Sequence, residues 1–267
     1  MSFFQKKEEE KFEIIYNFFN ELENTKKHEK ITNRGKCILF LTKKYRDNLY
    51  LCKLASERVR EKFEPTEDDI KSSLEANYPY IYVVFDLKRQ LILVQHKSSV
   101  FREVKTAVDK IKGIFIPIAK DSGYNFTIDP VSFESSFWDY VRNVQKIYEV
   151  VLSLKAPNLF GGIFSTNSFL KEIKKRYNST ETEIKYKNED GNLNIEREEF
   201  EDPIRYASAG GGQWRIKIQS GKTFKRVTIK SNDNIKKIEI SEISMETEEA
   251  LFQLEQKIKE NDPLKGE

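Results

Sequence analysis

The stretch Tyr80–Gln95, "YIYVVFDLKRQLILVQ", constrains the fold more than any other part of the chain. Two runs, Tyr80–Phe85 and Gln90–Gln95, are rich in β-branched and aromatic residues and flank a polar turn at Leu87–Arg89. Such residues suit a pleated, buried surface, and a short turn between two runs makes an antiparallel hairpin. Both runs are apolar at nearly every position, where a strand with one wet face would alternate. The hairpin is therefore expected at the centre of a sheet covered on both faces.

The segments around it can be read by period. Phe12, Ile15, Phe19 and Leu22 recur at helical spacing in Lys11–Glu23, which predicts a helix with one buried stripe. "KHEKITNRGK" reads as a polar link, and "CILFLTKKYRDNLYLCKLA" as two strands around a turn at Tyr45–Asn48. "PTEDDIKSSLEAN" reads as a short helix opened by Pro65 or Thr66, with acids in its first turn. After the central hairpin, Val100, Val104, Ala107, Val108 and Ile111 form one helical stripe, and a strand is expected at Asn125–Asp129. "FESSFWDYVRNVQ" is again helical and leads into a strand at Tyr148–Leu154. From Tyr80 the expected order is β-β-α-β-α-β, a ferredoxin-like α+β layer on a mixed or antiparallel sheet.

Pro157, Gly161 and Gly162 in "KAPNLFGGIFS" mark the expected domain boundary. This divides the chain into an N-terminal α+β domain, 1–157, and a smaller α+β domain, 158–267, carrying a basic β-hairpin. In the second part, Ser165 or Thr166 caps a helix to about Arg176, and Asp190-Gly191 turns a polar hairpin. A short helical piece spans Phe200–Ala209, a strand spans Ile235–Ile240, and a last helix runs from about Met245 to Lys259.

Nineteen Phe and twelve Tyr in 267 residues are enough to drive collapse. Cys37 and Cys52 are the two cysteines, too few for a disulfide scaffold in a chain this long. No apolar run approaches the roughly 18 residues of a membrane span, and the expectation is a soluble cytoplasmic protein.

Catalytic chemistry finds little purchase. Gly221-Lys222-Thr223 resembles the end of a nucleotide-binding loop, but that loop needs a glycine where Ile216 stands, and a helix after it. The residues after Thr223, "FKRVTIK", have a strand pattern instead. Asp86, Gln95 and Lys97 loosely match the acid and [DEQ]-x-K of a metal-dependent nuclease. In the expected hairpin Asp86 lies opposite Gln90, which leaves Gln95 and Lys97 roughly 17–24 Å away at about 3.4 Å per residue. Glu183-Ile184-Lys185 has no acid-bearing strand before it. His28 and His96 with the two cysteines are too scattered for a structural zinc cluster. No metal or other cofactor is expected, with magnesium entering only under the nuclease alternative.

Charge is segregated. The net charge is +3, yet between Asp202 and Asp233 there is no acid, while Arg205, Arg215, Lys217, Lys222, Lys225, Arg226 and Lys230 are basic. From Gln213 to Gln219 apolar and polar residues alternate strictly, with Trp214, Ile216 and Ile218 on one side. A two-residue turn at Ser220-Gly221 would set Arg215 opposite Arg226, Lys217 opposite Phe224 and Trp214 opposite Val227. The resulting face would carry Arg215, Lys217, Phe224, Arg226 and Lys230, with Lys222 and Lys225 in support. Cations beside an exposed ring suit a phosphate backbone with a base stacked nearby. A solvated sheet face or an acidic protein partner would use the same residues. Gly210-Gly211-Gly212 reads as a helix stop followed by a sharp reversal, with a phosphate-approaching loop as the alternative.

"PYIYVVFDLKRQLILVQHKSS", "SLKAPN" and "ASAGGGQWRIKIQSGKTFKRVTIKS", in this order before a final helix, resemble an uncharacterised bacterial family found among anti-phage defence genes. The resemblance covers Tyr78 to Leu251. It implies a small cytosolic defence component that acts with partners or on invading nucleic acid, and it transfers no active-site residue. The expectation is thus a non-catalytic, nucleic-acid-binding, in particular DNA-binding, component of an antiviral defence system. The alternatives are a metal-dependent nuclease effector and an adaptor that binds a protein partner or a second copy of itself.

Overall fold

The computed structural model describes residues 3–32, 35–46, 48–124, 126–156, 165–221, 225–240 and 245–262. In chain order these form α1 (Phe3–Thr25), β1 (Lys27–Thr32), β2 (Gly35–Tyr45), β3 (Leu49–Ser56), β4 (Arg58–Pro65), β5 (Ile70–Asn77), β6 (Tyr80–Asp86) and β7 (Leu91–Val94). Beyond β7 come α2 (Val104–Asp121), α3 (Glu134–Asn143), β8 (Ile147–Lys155), α4 (Ser165–Tyr177), β9 (Glu181–Lys187), α5 (Arg197–Tyr206), β10 (Gly212–Gln219), β11 (Arg226–Lys230) and α6 (Glu248–Glu260). The protein is a mixed α+β chain whose strands all pair antiparallel.

It forms two compact units. One comprises residues 1–127 with 240–256, the other 128–239 with 257–267. The division expected at Pro157 therefore falls inside the second unit. The physical reason is that β8 is an inner strand of the second sheet, hydrogen-bonded to β9 on one side and β10 on the other. Pro157, Gly161 and Gly162 themselves lie outside the described residues.

The first unit is built on a five-stranded sheet of order β1-β2-β3-β6-β7. One face carries Leu39 and Leu41 on β2, Tyr50, Cys52 and Leu54 on β3, and Ile81, Val83 and Phe85 on β6, all buried. Onto it pack Phe19 of α1, 5.0 Å from the Phe85 ring, and Phe115 of α2, 5.7 Å from the same ring. On the opposite face, Lys53 and Tyr82 both bond Glu246, and Lys43 pairs with Glu248 of α6. The middle strand β3 is buried on both faces, whereas β7 is an edge strand and only half buried. The expected central hairpin thus has only its first strand inside.

Two polar segments form strands against expectation. "KHEKIT" pairs with β2 as β1. The predicted helix after Pro65 is the tip and second strand of the β4–β5 hairpin, whose register runs from Arg58↔Asn77 to Pro65↔Ile70. Val59 and Phe63, and Ile70, Leu74 and Ala76, fall at even spacings on one face with Glu61 and Ser72 between them, and the acids read as a helix start lie instead in the four-residue turn Thr66–Asp69.

The second unit has a four-stranded sheet of order β11-β10-β8-β9. Its apolar face, with Val150, Leu152, Leu154, Trp214, Ile216 and Ile218, meets Phe137 and Trp138 of α3, Leu170 of α4 and Phe200 and Ile204 of α5. Residues 126–129 carry no strand, so α2 is followed directly by α3, and the hairpin β6–β7 and strand β8 belong to different sheets. The β-β-α-β-α-β order is replaced by β-β-α-α-β. Ile235–Ile240 is likewise not a strand and contributes one bridge, Ile235 to Ser132. Asp190-Gly191 does turn the chain, with Gly191 at φ +77° and Asn188 Oδ1 accepting from the Asp190 and Asn192 amides. Strand β9 enters that turn, but its sheet partner is β8 rather than the segment after the turn.

Candidate nucleic-acid interface

The glycine triplet sets the geometry of β10. Gly210, at φ +96°, adopts the left-handed conformation that stops the helical run after α5. A Cβ at Gly211 would lie 2.5 Å from the Tyr206 ring, and one at Gly212 only 2.2 Å from the Ser153 carbonyl oxygen. The bare backbone therefore lets β10 start in close register with β8. Trp214 is fully buried, edge-on to Phe137 at 5.3 Å, and its Nε1 donates to Ser208 Oγ at 3.3 Å.

With Trp214, Ile216 and Ile218 turned inward, the alternate residues Gln213, Arg215, Lys217 and Gln219 face outward. Strand β11 pairs with β10 in the register Arg215↔Lys230, Lys217↔Thr228 and Gln219↔Arg226. The expected register, with Arg215 opposite Arg226, is displaced by four residues. The turn is wider than two residues: the Ser220 amide bonds the Lys225 carbonyl at 2.9 Å, and no left-handed glycine occurs at Gly221. An even displacement leaves each side chain on its face, so Arg215, Lys217, Arg226 and Lys230 still share one surface. Lys222, Thr223 and Phe224 lie outside the described residues.

The neighbouring strands bring acids to this surface. Glu149 on β8 stands beside Lys217 on β10 and Lys187 on β9, and accepts from Lys185 Nζ at 2.9 Å. The hydrogen bond from Lys185, with Arg215 and Lys217 nearby, holds the Glu149 carboxyl below its usual range. Glu183 on β9 lies 4.0 Å from the Arg215 guanidinium. The Glu183-Ile184-Lys185 motif is part of this ladder. Arg226 lies 4.1 Å over the Tyr148 ring and donates to the Glu189 carbonyl at 3.2 Å. Among the described residues, the ammonium groups of Lys217, Lys225 and Lys230 form no ion pair, although Glu149 neighbours Lys217 and Asp233 Oδ2 accepts from the Lys230 amide at 3.0 Å. The face is therefore basic along β10 and β11 and mixed toward β9. These acids are not legible from the basic segment itself, because they come from strands far away along the chain.

The proposed nuclease residues do not converge. Asp86 is buried at the end of β6, where it accepts from the Arg89 amide at 3.0 Å and pairs with the Arg89 guanidinium at 2.7 Å, closing the turn into β7. Gln95 sits at the other end of that hairpin, where its Oε1 accepts from the Tyr82 amide at 3.0 Å. Lys97 lies 5.9 Å over the Tyr80 ring. Four residues of strand separate Tyr82 from Asp86, about 13 Å. Among the described residues no three His, Cys, Asp or Glu side chains gather as a metal-holding group. Burial raises the pKa of both thiols, Cys37 and Cys52, which suits packing rather than nucleophilic attack. His28 packs against Phe18 at 5.3 Å, and its pKa is lowered by burial. His96 is exposed after β7.

No helix among the described residues is long and apolar enough to cross a membrane. No family model, curated protein or solved structure matches the chain.

Proposed function

We propose that the β10–β11 side of the second sheet binds the phosphate backbone of a nucleic acid. One observation carries this reading. Among the described residues, the ammonium groups of Lys217, Lys225 and Lys230 form no ion pair, though Glu149 neighbours Lys217 across the sheet, and they stand on or beside a face that also presents Arg226, flattened on Tyr148. Like charges on neighbouring strands repel by some tenths of a kcal/mol each, and a bound polyanion relieves that repulsion. Ammonium groups spaced along two strands suit successive phosphates, which position the ligand without reading its sequence.

The role proposed is binding without cleavage, since Asp86, Gln95 and Lys97 are held apart in structural roles. The resemblance to a family found among defence genes supplies the proposed setting, a bacterial anti-phage system. Loss of protection against phage on deleting the gene from its native operon would be the cellular counterpart of the binding test.

The direct test titrates labelled single- and double-stranded DNA and RNA against the protein at several salt concentrations. Neutralising about four phosphates predicts a slope of log affinity on log salt of about −3 to −4. The variant Lys217→Glu/Lys230→Glu is expected to abolish binding at moderate salt. Absence of binding at low salt, or full affinity in the variant, refutes the assignment.

A further inference from the structure

The hairpin β4–β5 continues the β3–β6 pair beyond the edge of the first sheet. It forms a two-stranded arm of eight residues per strand, about 26 Å long at about 3.3 Å per residue. Past Arg58, which donates to the Ser99 carbonyl at 2.9 Å, every residue of both strands is exposed. One face of the arm, carrying Arg58, Arg60, Lys62, Ser73 and Glu75, is polar throughout. The other carries Val59, Phe63, Pro65, Ile70, Leu74 and Ala76, interrupted only by Glu61 opposite Leu74 and Ser72 opposite Phe63. Phe63 is 63% exposed and Leu74 77%. A two-stranded ribbon is marginally stable alone in water, and an apolar stripe of this length marks a contact surface.

The stripe does not end at the arm. By the same register it runs into the face of the sheet that bears Tyr78, Tyr80 and Phe40, each about two-fifths exposed. Cations accompany these rings: Lys97 lies 5.9 Å over the Tyr80 ring, and Lys53, already paired with Glu246, lies 4.8 Å over it. The tip of the arm is the opposite in sign, with Glu64, Glu67, Asp68 and Asp69 around the turn.

We propose that this arm and the aromatic face behind it form a two-fold interface with a second copy of this chain. Two arms laid antiparallel, stripe against stripe, cover Val59, Phe63, Ile70 and Leu74 of each. The inversion places each acidic tip toward the other copy's Tyr80 and Lys97. An isologous contact requires both halves of a complementary pair on one surface, and this surface has both. The four acids of the tip would repel a nucleic-acid backbone, so this face is distinct in ligand from the β10–β11 face.

Sedimentation of the whole chain tests the proposal. The wild type is expected to be a dimer, and Phe63→Asp/Leu74→Asp a monomer with unchanged circular dichroism, whose thermal unfolding matches that of the wild type diluted to monomer, because both side chains are exposed in the fold. Lys97→Glu and Asp68→Lys/Asp69→Lys are each expected to weaken dimerisation about tenfold or more. Their equimolar mixture should restore it, since one tip–face contact is then native and the other reversed in both partners. A wild type that stays monomeric at the highest concentration reached overturns the proposal and leaves the face to a different protein. A dimer that survives Phe63→Asp/Leu74→Asp, or charge variants that fail to complement each other, overturns it equally.

Discussion

The outer faces of the two sheets are built on the same alternation but from different residues. On the first sheet the outward positions near the arm are Phe40, Tyr78 and Tyr80, continued by Val59, Phe63 and Leu74. On the second they are Arg215, Lys217, Glu149, Glu183 and Lys185. A partly exposed aromatic face gains from a partner by area removed from water. A charged face is comfortable in water, and its pairs, lying in high dielectric, contribute little to stability. If both faces bind as proposed, the contrast separates two kinds of recognition: shape and apolar contact on one sheet, charge on the other.

Substitutions at apolar residues should show the contrast most sharply. Trp214→Ala, which empties a fully buried site under the second sheet, is expected to destabilise the fold by about 3–5 kcal/mol. Phe63→Ala on the arm should change monomer stability by less than about 0.5 kcal/mol. Chemical denaturation of both variants at low protein concentration measures the difference. Equal losses would mean that the arm is part of a core.

Gly212→Ala should come next. The added methyl meets the Ser153 carbonyl, and forcing β10 away from β8 is expected to cost about 1–3 kcal/mol. A matching change at Gly221, where nothing among the described residues lies within 4 Å of the new atom, should be nearly silent by the same measurement.

Asp202 gives a smaller effect with a pH signature. Its Oδ2 accepts from the Thr166 amide at 2.7 Å and from the Ser165 and Thr166 hydroxyls at 2.8 and 2.6 Å, capping α4 from α5. Burial pushes the carboxyl up, but these bonds and Arg205 outweigh it, and the net shift is downward. A carboxyl lowered in the folded state stabilises fully above its unfolded pKa, near 3.8, and loses that contribution as pH falls through the folded value. Asp202→Ala should cost about 1 kcal/mol at neutral pH, and the variant's disadvantage should vanish in strong acid. Thermal unfolding across pH 2–7 checks both parts.

The smallest effect on stability sharpens the functional side of the comparison. Glu149→Gln removes an acid from the basic face and a partner from Lys185. Stability should fall by less than about 1 kcal/mol, while affinity for nucleic acid should rise and its salt slope steepen. Unchanged affinity would place the ligand away from β8.

Much of the fold is a consequence of local period. The stripes of α1, α2 and α3, the existence of α6, the turn between β2 and β3, and the inward set Trp214, Ile216 and Ile218 were all legible. The polar strands β1, β4 and β5 were not, because a strand exposed on its surfaces lacks the apolar enrichment by which strands are recognised. Of the candidate site, membership of one face survived while the register did not. Alternation fixes the parity of a side chain, but turn length sets its opposite number, and the Ser220–Lys225 closure is a property of the loop.

The sequence by itself determined which side chains of a strand point together and where the chain must bend: the inward Trp214 set, a helix stop within Gly210–Gly212 and the acid-free run of cations. These depend on neighbours a few residues apart. Only the tertiary structure decided that β8 runs between β9 and β10, carrying Glu149 beside Lys217, and that Asp86 spends its charge on Arg89 at the far end of the hairpin from Gln95. Strand order and register join residues distant along the chain through non-directional burial, and a local pattern satisfied by many partners cannot select among them.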